Sequence, residues 1–133
     1  GGLGLAAELA TRFPETPFIV DHMGYPEPGG YPDGAYADAV RRLASLGNVY
    51  FKLSSFEMKS RTGFPFADMT EYAAFILETA GSRRCMWGSN YPFVNAAAGI
   101  AEVLGRVREI VGPGAAADVF YETGYSLFWR KAE

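Results

Sequence analysis

Residues 18–22, Phe18-Ile19-Val20-Asp21-His22, are three apolar residues that run directly into two polar ones. A short unbroken apolar run is the pattern of a strand covered on both faces, as in a parallel sheet overlaid by helices. Two later stretches repeat it. Val49-Tyr50-Phe51-Lys52-Leu53 ends in Ser54-Ser55, and Cys85-Met86-Trp87 ends in Gly88-Ser89-Asn90-Tyr91.

Helical periodicities fill the intervals. Leu5, Leu9 and Phe13, spaced by four, predict a first helix that buries this stripe and ends before Pro14. Ala39, Val40, Leu43 and Leu46 predict a second, capped by Asp33 and closed near Gly47. Met69, Tyr72, Ala73, Ile76, Leu77 and Ala80 predict a third, stopped by Gly81. Ile100, Val103, Leu104, Val107, Ile110 and Val111 predict a fourth, closed by the glycines of 112–114. A last helix is expected to start with Thr123 as cap and to bury Tyr125, Leu127, Phe128 and Trp129. The segment from Gly24 to Gly34 is too rich in proline and glycine for regular structure, and Ser54 to Phe66 reads as a second long polar loop. Long loops after strands commonly carry function.

Strict alternation of strand and helix implies right-handed crossovers and a parallel sheet, hence an α/β fold. A closed (β/α)8 barrel takes about 250 residues. With three strands in 133 residues, the chain reads as half of such a barrel, treated as one partial domain over residues 1–133. An open, doubly wound three-strand sheet is the alternative. The sequence opens on Gly1 rather than methionine, so a piece of a longer chain is expected.

A net charge of -3 supplies no basic stripe for nucleic acid, and no window approaches the roughly 20 apolar residues of a membrane span. A small-molecule substrate is the expected partner. The single cysteine, Cys85, excludes a disulfide within the chain and reads as a buried, reduced thiol, which points to a cytoplasmic setting. Cutting a barrel in two would leave unpaired strand edges, so self-association into a homo-oligomer is expected.

In parallel α/β architectures chemistry gathers at the carboxyl ends of the strands. The candidates are therefore Asp21-His22, Ser54-Ser55 and Ser89-Asn90-Tyr91. His22 is the sole histidine. It is suited to ligate a metal, donate a hydrogen bond or shuttle a proton. Side chains alternate along a strand, so Asp21 is expected to point to the opposite side, in a supporting role. Asn90 is an amide: it orients a carbonyl or a water but is no general base. Arg61, in the second loop, has the fork to clamp a carboxylate, whereas Lys59 reads as solvated charge. Gly2, Gly4 and Ala7 fit the dinucleotide pattern G-x-G-x-x-A, which requires a preceding strand.

The stretches Phe18–Gly24, Val49–Ser54 and Cys85–Pro92, in this order and spacing, resemble the last three strands of the amidohydrolase-related family, the branch close to 2-pyrone-4,6-dicarboxylate lactonase. The resemblance covers nearly the whole chain but only the second half of the family's domain. It implies strands six to eight of a metal-dependent-hydrolase-type TIM barrel, with Phe120 to Arg130 as its closing helix. It implies a hydrolase acting on a lactone or another small carboxylate-bearing molecule. His22 then matches the histidine ending strand six, and Asn90 stands where the family has the aspartate ending strand eight. That aspartate binds metal or activates water in relatives. The amide therefore disfavours a divalent metal such as zinc, for which His22 is the one suitable ligand here. On this reading His22 and Asn90 are the catalytic candidates; Arg61, which the resemblance places in a carboxylate-binding loop, joins the strand-end residues Ser54 and Tyr91 as the substrate-binding candidates. Alternatives are a non-catalytic half-barrel remnant and a dinucleotide-binding α/β domain.

Overall fold

The computed structural model describes residues 2–129. Helix α1 (Gly2–Arg12) precedes β1 (Phe18–Val20), α2 (Gly34–Ala44) and β2 (Val49–Leu53). A one-turn α3 (Phe56–Lys59) follows, then α4 (Thr70–Ala80), β3 (Cys85–Trp87), α5 (Ile100–Val111) and α6 (Thr123–Phe128). The three strands form one parallel sheet in the order β1-β2-β3, with Val20 opposite Phe51 and Phe51 opposite Cys85. All three strands lie where their apolar runs predict.

Register sorts the sheet into two faces, because paired residues project to the same side. Val20, Val49, Phe51, Leu53 and Cys85 are buried and meet Val40, Leu43, Ala73 and Ile76 of α2 and α4 in one core. The opposite face, with Ile19, Lys52 and Met86, is less completely covered: Ile19 is 38% exposed. The expectation of cover on both faces thus holds for one of them.

Two polar side chains tie the layers from below. Asn48 Nδ2 donates to the carbonyl of Ala10 in the last turn of α1 and to those of Phe13 and Thr16 in the turn that follows, tying the end of α1 to the start of β2. Arg84 donates to Ala80 at the end of α4 and to Ala44 and Leu46 at the end of α2. A guanidinium against two helix C-termini meets the negative ends of both dipoles.

Several expectations are corrected. Leu5, Leu9 and Phe13 are exposed, and α1 packs on the body through Ala7 and Ala10 instead. Periodicity shows that a face is apolar without showing whether anything lies against it. Asp33 occupies the N-cap position of α2 but makes no side-chain cap bond. Thr123 continues a helical path from a π turn at Asp118–Glu122 rather than capping α6, and the buried residues there are Val119 and Thr123. Tyr125, Phe128 and Trp129 are exposed. The segment 54–66 contains α3 and is not wholly loop. Gly2 and Gly4 lie within α1, so the G-x-G-x-x-A pattern is helical and forms no phosphate-binding turn; the dinucleotide reading is set aside.

Candidate active site

The end of each strand is marked by a residue that is not glycine yet adopts left-handed backbone: His22 (φ 51), Ser55 (φ 64) and Asn90 (φ 56). Such conformations cost of order 1–3 kcal/mol each and gather at functional sites. After β1 the turn runs through His22 and Met23 to Gly24 (φ 73) and Tyr25 (φ 55). A Cβ on Gly24 would also lie 2.8 Å from the Leu3 side chain, so glycine serves both the angle and the approach of α1.

This turn governs His22. Its Nδ1 lies 2.9 Å from Ser54 Oγ, across from β1 to the end of β2. Its Nε2 lies 3.3 Å from Asp21 Oδ2. Asp21 Oδ1 is in turn held by Lys52 Nζ, and Tyr25 sets its ring edge-on at 5.0 Å from the imidazole. Asp21 keeps the side that alternation gives it, with Ile19 and Lys52, and it is His22 that departs: its left-handed backbone turns the ring to the side of Asp21 and Ser54. Lys52 is aimed by Gly88, where a Cβ would stand 3.0 Å from the lysine stem. Lys52, Asp21, His22 and Ser54 thus form one polar row along the carboxyl edge.

A second cluster sits beside it. Asn90 Nδ2 donates to Glu57 Oε1, and lies 3.3 Å from both Ser55 Oγ and Met58 Sδ. Glu57 Oε2 is buried and has no donor among the described residues. Ser54 and Ser55, adjacent and both buried, join the His22 row to the Asn90 cluster.

The remaining candidates stand further out. Tyr91 is 67% exposed. Arg61 is exposed, its Nη2 3.5 Å from Glu27 Oε2, while Lys59 Nζ holds Glu27 Oε1 at 2.9 Å. The Lys59 hydrogen bond and charge, with Arg61 beside them, keep the Glu27 carboxyl below its usual range. Lys59, read as free loop charge, instead ties the two long loops together. Asp68 organises the same loop: burial pushes its carboxyl up, but hydrogen bonds from the Ser60 hydroxyl, the Arg61 N–H and the Thr62 hydroxyl outweigh it and leave it lowered. Sequence reasoning missed Glu57 and the part played by Lys52. The available signal for Glu57 was a carboxylate just past a strand end.

The family model described as Amidohydrolase matches residues 3–128. The chain belongs to this family. Among curated amidohydrolase relatives, a 4-sulfomuconolactone hydrolase of Rhizobium radiobacter is 35% identical over 78 residues, covering 59% of this chain and 26% of that protein. A D-galactarolactone isomerase of Agrobacterium fabrum is 32% identical over 75 residues, covering 56% and 25%. Each alignment therefore spans about a quarter of the relative's length. A zinc-bound amidohydrolase structure from Burkholderia multivorans superposes with a TM-score of 0.80 at 24% identity, over 92% of this chain and 47% of the other. A Pseudomonas putida protein provisionally described as a 2-pyrone-4,6-dicarboxylic acid hydrolase gives 0.76 at 17%, over 98% and 50%. These structural likenesses show the fold: three parallel strands and their helices, matching about half of an amidohydrolase TIM barrel.

Zinc in a neighbour raises the question of a metal here. Among the described residues no three His, Cys, Asp or Glu side chains are grouped to hold one. Both His22 nitrogens face other groups, and the side chain at 90 is a neutral amide. The residues present do not fit a metal centre, and no step below passes through one.

Proposed function

We propose that the intact protein acts on a lactone or similar cyclic ester of a small carboxylate-bearing molecule, opening the ring by hydrolysis. The observation that carries this reading is the His22 row, an imidazole fixed at both nitrogens at the carboxyl edge of a parallel sheet. The lactone-acting relatives support the substrate class. If the Ser54 hydroxyl donates to Nδ1, the ring proton sits on Nε2, the nitrogen that faces Asp21 across the longer contact. A substrate carbonyl taking the place of Asp21 receives that N–H, which stabilises the oxyanion as water adds to the carbonyl carbon. The ring C–O bond then breaks, the departing oxygen takes a proton, and a hydroxy acid is released. Asn90 and Tyr91 orient water or substrate, and Arg61 exchanges Glu27 for the substrate carboxylate.

One observation favours a second reading. An amide at 90 does not activate water, whereas transfer of a lactone bond to a hydroxyl of the same molecule consumes no water, and one relative is a lactone isomerase. The alternative of a non-catalytic remnant predicts neither reaction. Incubation of the intact protein with a panel of carboxylated lactones, followed by NMR and acid release, separates the three. Hydroxy acid supports hydrolysis, a rearranged lactone supports isomerisation, and an unchanged panel refutes both.

A further inference from the structure

Asn90 is held by several partners at once. Its Nδ2 has three neighbours, Glu57 Oε1, Ser55 Oγ and Met58 Sδ, all able to accept. The reversed amide would set Oδ1 against the Glu57 carboxylate oxygen, so the network itself fixes which end is nitrogen. Oδ1 then has no partner among the described residues. It is the end left free, one residue beyond Ser89 at the carboxyl edge of β3.

We infer that Glu57 is a positioning residue: it holds Asn90 with its amide N–H groups turned into the protein and its carbonyl oxygen turned toward the ligand, so that the site selects a lactone bearing a hydroxyl donor at this point. The substrate part of this inference rests on the lactone reading above; the positioning part does not. Glu57 also explains why an amide stands at 90. Two carboxylates this close repel, so an aspartate at 90 would face Glu57 as a like charge. The dependence is mutual, because Glu57 Oε1 has Asn90 as its donor and the buried Oε2 has none among the described residues. The carboxyl group of this cluster stands on α3, and the strand end offers a neutral acceptor.

Two readouts test this on the intact protein. Side-chain 15N–1H spectra follow hydrogen exchange at the Asn90 amide. In parallel, kcat/KM is compared for a hexono-1,4-lactone and for its analogue lacking ring hydroxyls. The unsubstituted protein is expected to protect the Asn90 amide and to prefer the hydroxylated lactone. In Glu57→Ala the protection falls at least tenfold and the preference shrinks by about the same factor. Glu57→Gln, whose carbonyl accepts the same bond, recovers part of both. Unchanged amide protection in Glu57→Ala overturns the positioning role. Intact protection with no preference between the two lactones overturns the hydroxyl selection. If neither lactone binds or reacts, the lactone reading fails together with the selection, while the exchange data still decide the positioning.

Discussion

His22 Nδ1 and Ser54 Oγ stand 2.9 Å apart, joining the ends of β1 and β2 through residues 32 positions apart in sequence. Ser54 is buried, so in the proposed lactone chemistry its hydroxyl would act through the imidazole. A hydrogen bond to one ring nitrogen sets the tautomer and presents the other in a fixed direction.

Ser54→Ala removes that control and leaves the backbone in place. Lactone turnover by the intact protein is expected to fall about tenfold in kcat/KM, equivalent to about 1.4 kcal/mol. Steady-state kinetics measure it, with thermal unfolding to show that the fold is kept. An unchanged kcat/KM would remove Ser54 from the site.

Arg84→Met tests what holds the helices to the lower edge of the sheet. The guanidinium serves carbonyls at the ends of both α2 and α4, and its loss takes a donor from each of the three, of which Leu46 keeps the Val49 N–H. Hydrogen bonds from charged groups contribute about 1.5–3 kcal/mol each and are not additive. A destabilisation of about 2–4 kcal/mol in urea unfolding is expected; a shift below about 0.5 kcal/mol would show that solvent replaces the arginine.

Cys85 gives a pH signature. Burial in β3 pushes its thiol up to about 12, against a small opposing pull from Arg84, whereas an exposed thiol ionises near 9.0. The folded chain keeps the proton that the unfolded chain loses. Stability from this group is therefore whole below pH 9 and declines as pH rises from 9 toward 12. Cys85→Ala should flatten that decline, and thiol reagents should label the native protein only as fast as it opens. Rapid native labelling would contradict the burial.

The chain as given should self-associate. Among the described residues β1 and β3 each leave one edge unpaired. Leu5, Phe128 and Trp129 are exposed by 58%, 59% and 70%. Unpaired edges and apolar patches promote association. Sedimentation velocity is expected to show species heavier than a monomer; a monodisperse monomer at high concentration would refute this.

The strands were legible because Phe18–Val20, Val49–Leu53 and Cys85–Trp87 are apolar runs bounded by polar ends, a local property. The carboxyl-edge location of His22, Ser54 and Asn90 followed from the strand ends alone. Contacts between distant segments were not legible. Nothing local to Leu5, Leu9 and Phe13 tells that their face lacks a partner. Glu57 gains its meaning from Asn90, 33 residues away. Asp21 supports His22 as expected, but the two side chains do not diverge, because alternation presumes a strand that continues and positive φ at His22 ends it.

The central claim is that His22 is the reacting centre of a lactone-acting amidohydrolase. His22→Asn in the intact protein tests it most directly, since asparagine tolerates the left-handed backbone at this position. The account predicts a loss of at least about 100-fold in kcat/KM, or about 2.7 kcal/mol, with the unfolding temperature little changed. A His22→Asn protein that opens lactones as fast as the parent would contradict it.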